Sequence, residues 1–137
     1  MTLRELLLLA ATLQLGIAIL NLFLVPLLKW QTEIARMPLL VREVFHVHAW
    51  FISVTLAIFA TLTFRFSSEM ELGVNPIAAW LAGAVGIFWA IRAILQVVWY
   101  SSSHWRGQLN RTLIHIALLV IYGGFAVIYL IAARRFV

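Results

Sequence analysis

Four apolar runs, each long enough to cross a bilayer as a helix, predict an all-α integral membrane protein, a four-transmembrane-helix up-down bundle. Three observations carry that reading. Of the 137 residues, 64% are hydrophobic and 11% charged, against roughly half and a quarter in soluble domains. Short polar connectors separate the runs and leave no stretch for a soluble domain, so residues 1–137 read as one membrane domain. The charged residues lie mostly beside the runs rather than inside them.

A hydrocarbon core of about 30 Å needs about 20 helical residues, and the run Leu6 to Leu28 meets that length. Thr12, Gln14 and Asn21 are its polar interruptions. A cleavable signal would have a shorter apolar core and a small-x-small exit, whereas this run continues through Pro26 to Lys29 and Trp30. It is therefore expected to be a retained span over residues 3–28. The other helices are expected over 40–64, 74–100 and 110–133. Pro38 and Pro76 stand near two helix starts, where a missing N–H costs nothing. Gly73 and Asn75 mark the turn before the third. Trp30, Trp50, Trp99, Tyr100 and Trp105 are expected to form an aromatic belt at one membrane face.

The net charge of +5 would suggest a nucleic-acid partner in a soluble protein. Here the cations flank apolar runs, a placement that suits anionic headgroups, and no nucleic acid is expected. Lys29, Arg36, Arg42, Arg106 and Arg111 fall on one face, and Arg4, Arg65, Arg134 and Arg135 on the other. That imbalance tilts the orientation slightly toward both termini lying outside the cytoplasm. There is no cysteine, which excludes disulfides, thiolate metal sites, iron–sulfur clusters, c-type haem attachment and cysteine nucleophiles.

Polar residues within the spans are the informative ones, because lipid cannot solvate them. On the first helix Leu7, Gln14, Ala18 and Asn21 share a face. On the second, Glu43, His46, Trp50, Ser53, Ala57, Ala60 and Thr61 recur at spacings of three and four, so this stripe is expected to face the bundle. His48 lies about 200° around the helix from His46 and points elsewhere. The third helix carries the seam Ala78, Ala82, Val85, Trp89, Arg92, Gln96 and Trp99. The fourth carries Arg111, His115, Leu118, Tyr122, Ala126, Tyr129 and Ala133. By residue count Asn21, His46, Arg92, Gln96 and His115 fall about 5 to 12 Å below one face. They are expected to form a single polar layer, with Glu43 as the counter-charge to Arg92.

Such a layer suits several chemistries. His46 and His115 on facing helices would serve as axial ligands of haem b, with Arg92, Gln96 and Tyr100 near its propionates. A quinone or lipid-like ligand would take hydrogen bonds from His46, Arg92, Gln96 and His115 beneath an aromatic rim that includes Trp50 and Tyr122. Either redox molecule would place the protein in membrane electron transfer. Glu43 and His46 form a Glu-x-x-His pair, but a di-iron site needs more carboxylates than Glu5, Glu69 and Glu71 on the far face can supply. A single metal on Glu43, His46 and His115 stays open. An open pore is disfavoured, because the opposite half is apolar apart from Gln14, Ser53, Thr61 and the tyrosines. His104, in Ser101-Ser102-Ser103-His104-Trp105, reads as a solvated turn or a proton entry point; the serines carry no nucleophile motif. The competing class is a non-catalytic assembly or interaction subunit of a larger membrane complex or a homo-oligomer, in which the polar layer fixes helix register and His48 contacts a partner.

Overall fold

The computed structural model describes residues 1–100 and 107–136, which contain helices and turns and no strand. The helices are α1 (Leu3–Leu22), α2 (Leu24–Leu27), α3 (Gln31–Ala35), α4 (Leu39–Leu72), α5 (Pro76–Val98) and α6 (Leu109–Ala133). Four of them, α1, α4, α5 and α6, are long and apolar enough to cross a membrane. The chain divides into two compact units, one formed by Met1–Leu7 with Phe66–Val137 and the other by Leu8–Arg65.

α1 begins with a reciprocal cap. The Thr2 N–H donates to Glu5 Oε2 at 2.7 Å, and the Glu5 N–H donates to Thr2 Oγ1 at 3.2 Å. Two N–H groups that no helical carbonyl can reach are thereby satisfied. The expected helix over 3–28 is interrupted at Phe23, and Pro26 gives the reason. Proline has no N–H for the Leu22 carbonyl and its ring crowds that group, so the chain tightens there and restarts as the four-residue α2. α2 then stops in a Schellman motif. The Trp30 N–H reaches Val25 O at 3.0 Å and the Lys29 N–H reaches Pro26 O at 3.2 Å. Lys29 occupies the left-handed position at φ 57°, where glycine is the usual residue.

α4 corrects the expected 40–64 boundary, running eight residues further to Leu72. Residues 65–72 contain no glycine or proline, so nothing in the chain stops the helix before Gly73. Gly73 ends it at φ 66°, its N–H bonded to Glu69 O at 3.0 Å. At 1.5 Å per residue α4 is about 51 Å long, well beyond the hydrocarbon thickness of about 30 Å.

Asn75 then caps α5, its Oδ1 accepting from the Ile77 N–H at 2.9 Å, with Pro76 in the first turn. Its Nδ2 donates to Glu69 Oε2 at 3.3 Å. Glu71 Oε1 accepts from the Arg4 N–H at 3.2 Å, which ties the start of the chain to this turn. α5 ends at Val98, two residues before the expected Tyr100, and α6 starts at Leu109, one before the expected position.

In the first unit α5 and α6 form an antiparallel hairpin. Gly83 lies near Ala133 and Gly86 against Leu130, Trp89 meets Phe125 and Tyr122, and Gln96 meets His115. Position numbers thus rise on one helix as they fall on the other. Small residues make the close approach possible: a Cβ at Gly86 would sit 2.9 Å from Leu130 Cγ and 3.1 Å from its backbone nitrogen. The buried face of α5 comprises Ala78, Ala82, Val85, Gly86, Trp89 and Gln96; of the expected seam, Arg92 is half-buried and Trp99 is 80% exposed. In the second unit α1 and α4 lie side by side, joined by Asn21.

Candidate functional site

The α5–α6 hairpin brings together four of the expected site residues. Arg92 NH1 donates to Gln96 Oε1 at 2.9 Å, one turn along the same helix. Gln96 Nε2 lies 3.0 Å from His115 Nδ1 on α6. The guanidinium carbon of Arg92 sits 4.7 Å from the centre of the Tyr122 ring, a cation–π distance worth up to about 2 kcal/mol where water is excluded. Tyr122 in turn stacks on Trp89, ring centres 5.2 Å apart and planes at 23°. Phe125 meets Trp89 edge-on at 4.8 Å.

Helix geometry explains why these side chains converge. Arg92 and Gln96 are four apart and so neighbours on one face. On the antiparallel partner, His115 and Tyr122 are seven apart and nearly superposed. Gln96 is buried while Arg92 and His115 are half-buried, so the cluster is closed toward the hairpin and accessible on one flank. Arg92 lies about 9 Å inside the end of α5, and its bond to Gln96 draws the guanidinium toward that end.

Within its own unit no carboxylate lies within 4.0 Å of the Arg92 guanidinium among the described residues. Its charge is met by a neutral amide and an aromatic face of its own hairpin. The expected counter-charge, Glu43, is exposed.

The second unit holds Asn21. Its Nδ2 donates to Ala49 O at 2.8 Å and to Ser53 Oγ at 2.9 Å, so the amide serves as a clamp between α1 and α4. Ser53 is the residue that sequence reasoning left out of the site; its place on the α4 stripe was the available signal. Phe125 was missed as well, although Tyr122, Phe125 and Tyr129 recur at helical spacing. Beside the clamp an open apolar groove of about 180 Å³ is lined by residues including Leu15, Ala18, Leu22 and Trp50.

The inward-facing stripe expected of Glu43, His46 and Trp50 is corrected. Glu43 and His46 are exposed, and Trp50 is 62% exposed. The buried line of α4 is instead Ser53, Leu56, Ala60, Thr63, Ser67 and Met70, an unbroken alternation of three and four. The physical reason is position along the helix. Glu43 and His46 lie about 6 and 11 Å from the first residue of α4, and polar side chains near the end of a membrane-crossing helix reach water or headgroups without a protein shield. His46 makes an edge contact with Phe45, and His48 Nδ1 lies 3.1 Å from Val44 O on its own helix. No group of three or more His, Asp or Glu side chains among the described residues is placed to hold a metal ion. His104, Trp105 and Arg106 lie outside the described residues.

Fold and site together define a class: four helices of membrane-crossing length and apolarity, fitting a multi-pass integral membrane protein, with a cationic, aromatic-backed cluster on one hairpin. Comparison with protein-family models, with curated proteins and with solved structures gives no match for this chain.

Proposed function

We propose that the chain is a multi-pass membrane protein that binds the polar head of a small lipophilic molecule, quinone-like or lipid-like, at the Arg92–Gln96–His115 cluster, with the tail against apolar helix surface. The observation that carries this reading is the state of Arg92. A guanidinium inside a span costs at least about 2.5 kcal/mol unless something compensates it. Here it is met by the Gln96 amide oxygen and the Tyr122 ring, and within its own unit no carboxylate lies within reach among the described residues. Its remaining N–H donors, on the accessible flank, suit an acceptor oxygen at headgroup depth. Tyr122, buried and stacked on Trp89, backs the guanidinium.

A second reading is favoured by the exposed line of Glu43, His46 and Trp50, with His48 exposed elsewhere on the same helix. Under it the protein is an assembly subunit that docks through α4, and the hairpin cluster only fixes helix register. The two readings part on one experiment. Native mass spectrometry of the protein purified in mild detergent is expected to show a bound amphiphile that is lost in Arg92→Leu, with the thermal transition little changed. Identical bound species in both proteins, with a lowered transition in Arg92→Leu, would refute ligand binding and support the register reading.

A further inference from the structure

Apart from the hairpin, and wholly within residues 8–65, the Asn21 clamp leaves a buried hydroxyl with its proton unspent. Serine and threonine inside a helix can donate that proton to the carbonyl four residues back. Thr55, Thr61 and Thr63 of α4 do so at 2.8 Å. The carbonyl four back from Ser53 is that of Ala49, and it receives the Asn21 Nδ2 donor at 2.8 Å in addition to its helical N–H. Both of its lone pairs are thereby engaged. Asn21 Nδ2 also donates to Ser53 Oγ at 2.9 Å, so the serine oxygen accepts. A carbonyl cannot donate, which keeps the NH₂ side of the amide turned toward Ala49 O. Ser53 is 5% exposed, and its hydroxyl proton has no acceptor among the described residues. A buried donor without a partner costs free energy that an acceptor would recover.

Ser53 also lines the open groove between α1 and α4. The rim residues Leu15, Ile19 and Val54 are exposed. At about 180 Å³ the groove is smaller than the roughly 300–1,000 Å³ of pockets for drug-sized ligands, so it suits one unbranched chain better than a ring system. We propose that it binds a fatty acyl ester, the chain along the aliphatic wall and the carbonyl oxygen accepting from the Ser53 hydroxyl. Three properties select that occupant. The unspent group is a donor, so the ligand supplies an acceptor. No charged side chain lines the groove, so a carboxylate or phosphate head would be desolvated there without a partner. An alcohol head would bring a proton of its own, and the lining is aliphatic apart from Ser53 and Trp50, whose indole only donates. The site is independent of the Arg92–Gln96–His115 cluster.

Trp50 lines the groove and reports on it. The full-length protein in nanodiscs is titrated with methyl 9,10-dibromostearate, whose bromines quench tryptophan on contact, and with 9,10-dibromooctadecane, which lacks the ester. The Trp50 signal is the difference between the wild type and Trp50→Phe. The ester is expected to reach half-quenching at a concentration between about twofold and tenfold lower than the hydrocarbon, the range that one hydrogen bond supports. Ser53→Ala is expected to abolish that preference and to leave the hydrocarbon curve unchanged. Equal potency of the two compounds on the wild type, no quenching of Trp50 by either, or an ester preference retained in Ser53→Ala overturns the inference. A second measurement needs no variant. A methyl ester with a photoactivatable diazirine in mid-chain is expected to label α1 and α4 beside the groove, at Ile19 or Val54, and unlabelled methyl stearate is expected to displace it. Labelling that falls elsewhere, or that methyl stearate does not displace, overturns the inference whether or not Ser53→Ala folds.

Discussion

Replacing Gly73 by alanine should destabilise the protein more than any other glycine-to-alanine change, for two separable reasons. The residue sits at φ 66°, where an L side chain costs about 1–2 kcal/mol. A Cβ there would lie 2.4 Å from the Arg135 carbonyl oxygen and 2.6 Å from its carbon. Both are backbone atoms, so no side chain can rotate away, and overpacking of this kind costs about 1–3 kcal/mol. Alanine recovers about 0.4–1 kcal/mol through the unfolded chain, leaving a net loss of about 1–5 kcal/mol. Gly16 supplies the control, since it lies within α1 and a Cβ there meets nothing within 4 Å. Gly16→Ala should gain up to about 1 kcal/mol. Gly73→Asn divides the two causes, because asparagine tolerates the left-handed conformation but still brings a Cβ. It should remain destabilised through the Arg135 contact alone. Reversible unfolding in mixed micelles with increasing sodium dodecyl sulfate, followed by tryptophan fluorescence, measures all three. Gly73→Ala as stable as the wild type, with Gly16→Ala behaving as stated, would show that the turn between α4 and α5 does not pack against the end of α6.

The same assay reads two further changes. Lys29→Gly relieves a left-handed lysine in the Schellman motif that ends α2 and should stabilise by about 0.5–1 kcal/mol; a loss would mean that the Lys29 side chain contributes more than its backbone strain costs. Asn21→Leu removes the bonds to Ala49 O and Ser53 Oγ and should cost about 1 kcal/mol, since each interhelical hydrogen bond in a membrane protein averages about 0.6 kcal/mol. Restoring stability by Ser53→Ala in the Asn21→Leu background would confirm that the loss comes from the stranded hydroxyl, and no restoration would place it in packing.

Much of the hairpin was legible in the chain. The α5 seam through Ala78, Ala82, Val85, Trp89 and Gln96 follows from spacing alone, because an apolar helix pairs through whichever face carries small and polar groups. The pairing of Gln96 with His115 was implied by their common depth. α4 was legible in kind, and its expected stripe is buried at Ser53 and Ala60 but not at Glu43, His46 and Trp50. Glu43, His46 and Trp50 looked like the head of an inward stripe because every polar residue was assumed to need shelter from lipid. That assumption fails near a helix end, where polar side chains reach water or headgroups. The true line, from Ser53 through Leu56 and Thr63 to Met70, mixes hydroxyls with large apolar groups and has no polarity contrast to announce it.

By itself the sequence determined the number of apolar spans, the absence of cysteine chemistry and the turn at Gly73 and Asn75 before α5, since length, composition and local backbone preference are properties of neighbouring residues. Only tertiary structure decided that Arg92 rests on Tyr122 and Gln96, that Gly73 must be glycine for contact as well as for φ, and that Gln96 meets His115 at Nδ1. Those facts depend on which atoms of distant residues come within about 3 Å, the range over which a hydrogen bond has direction, and no spacing rule carries that precision.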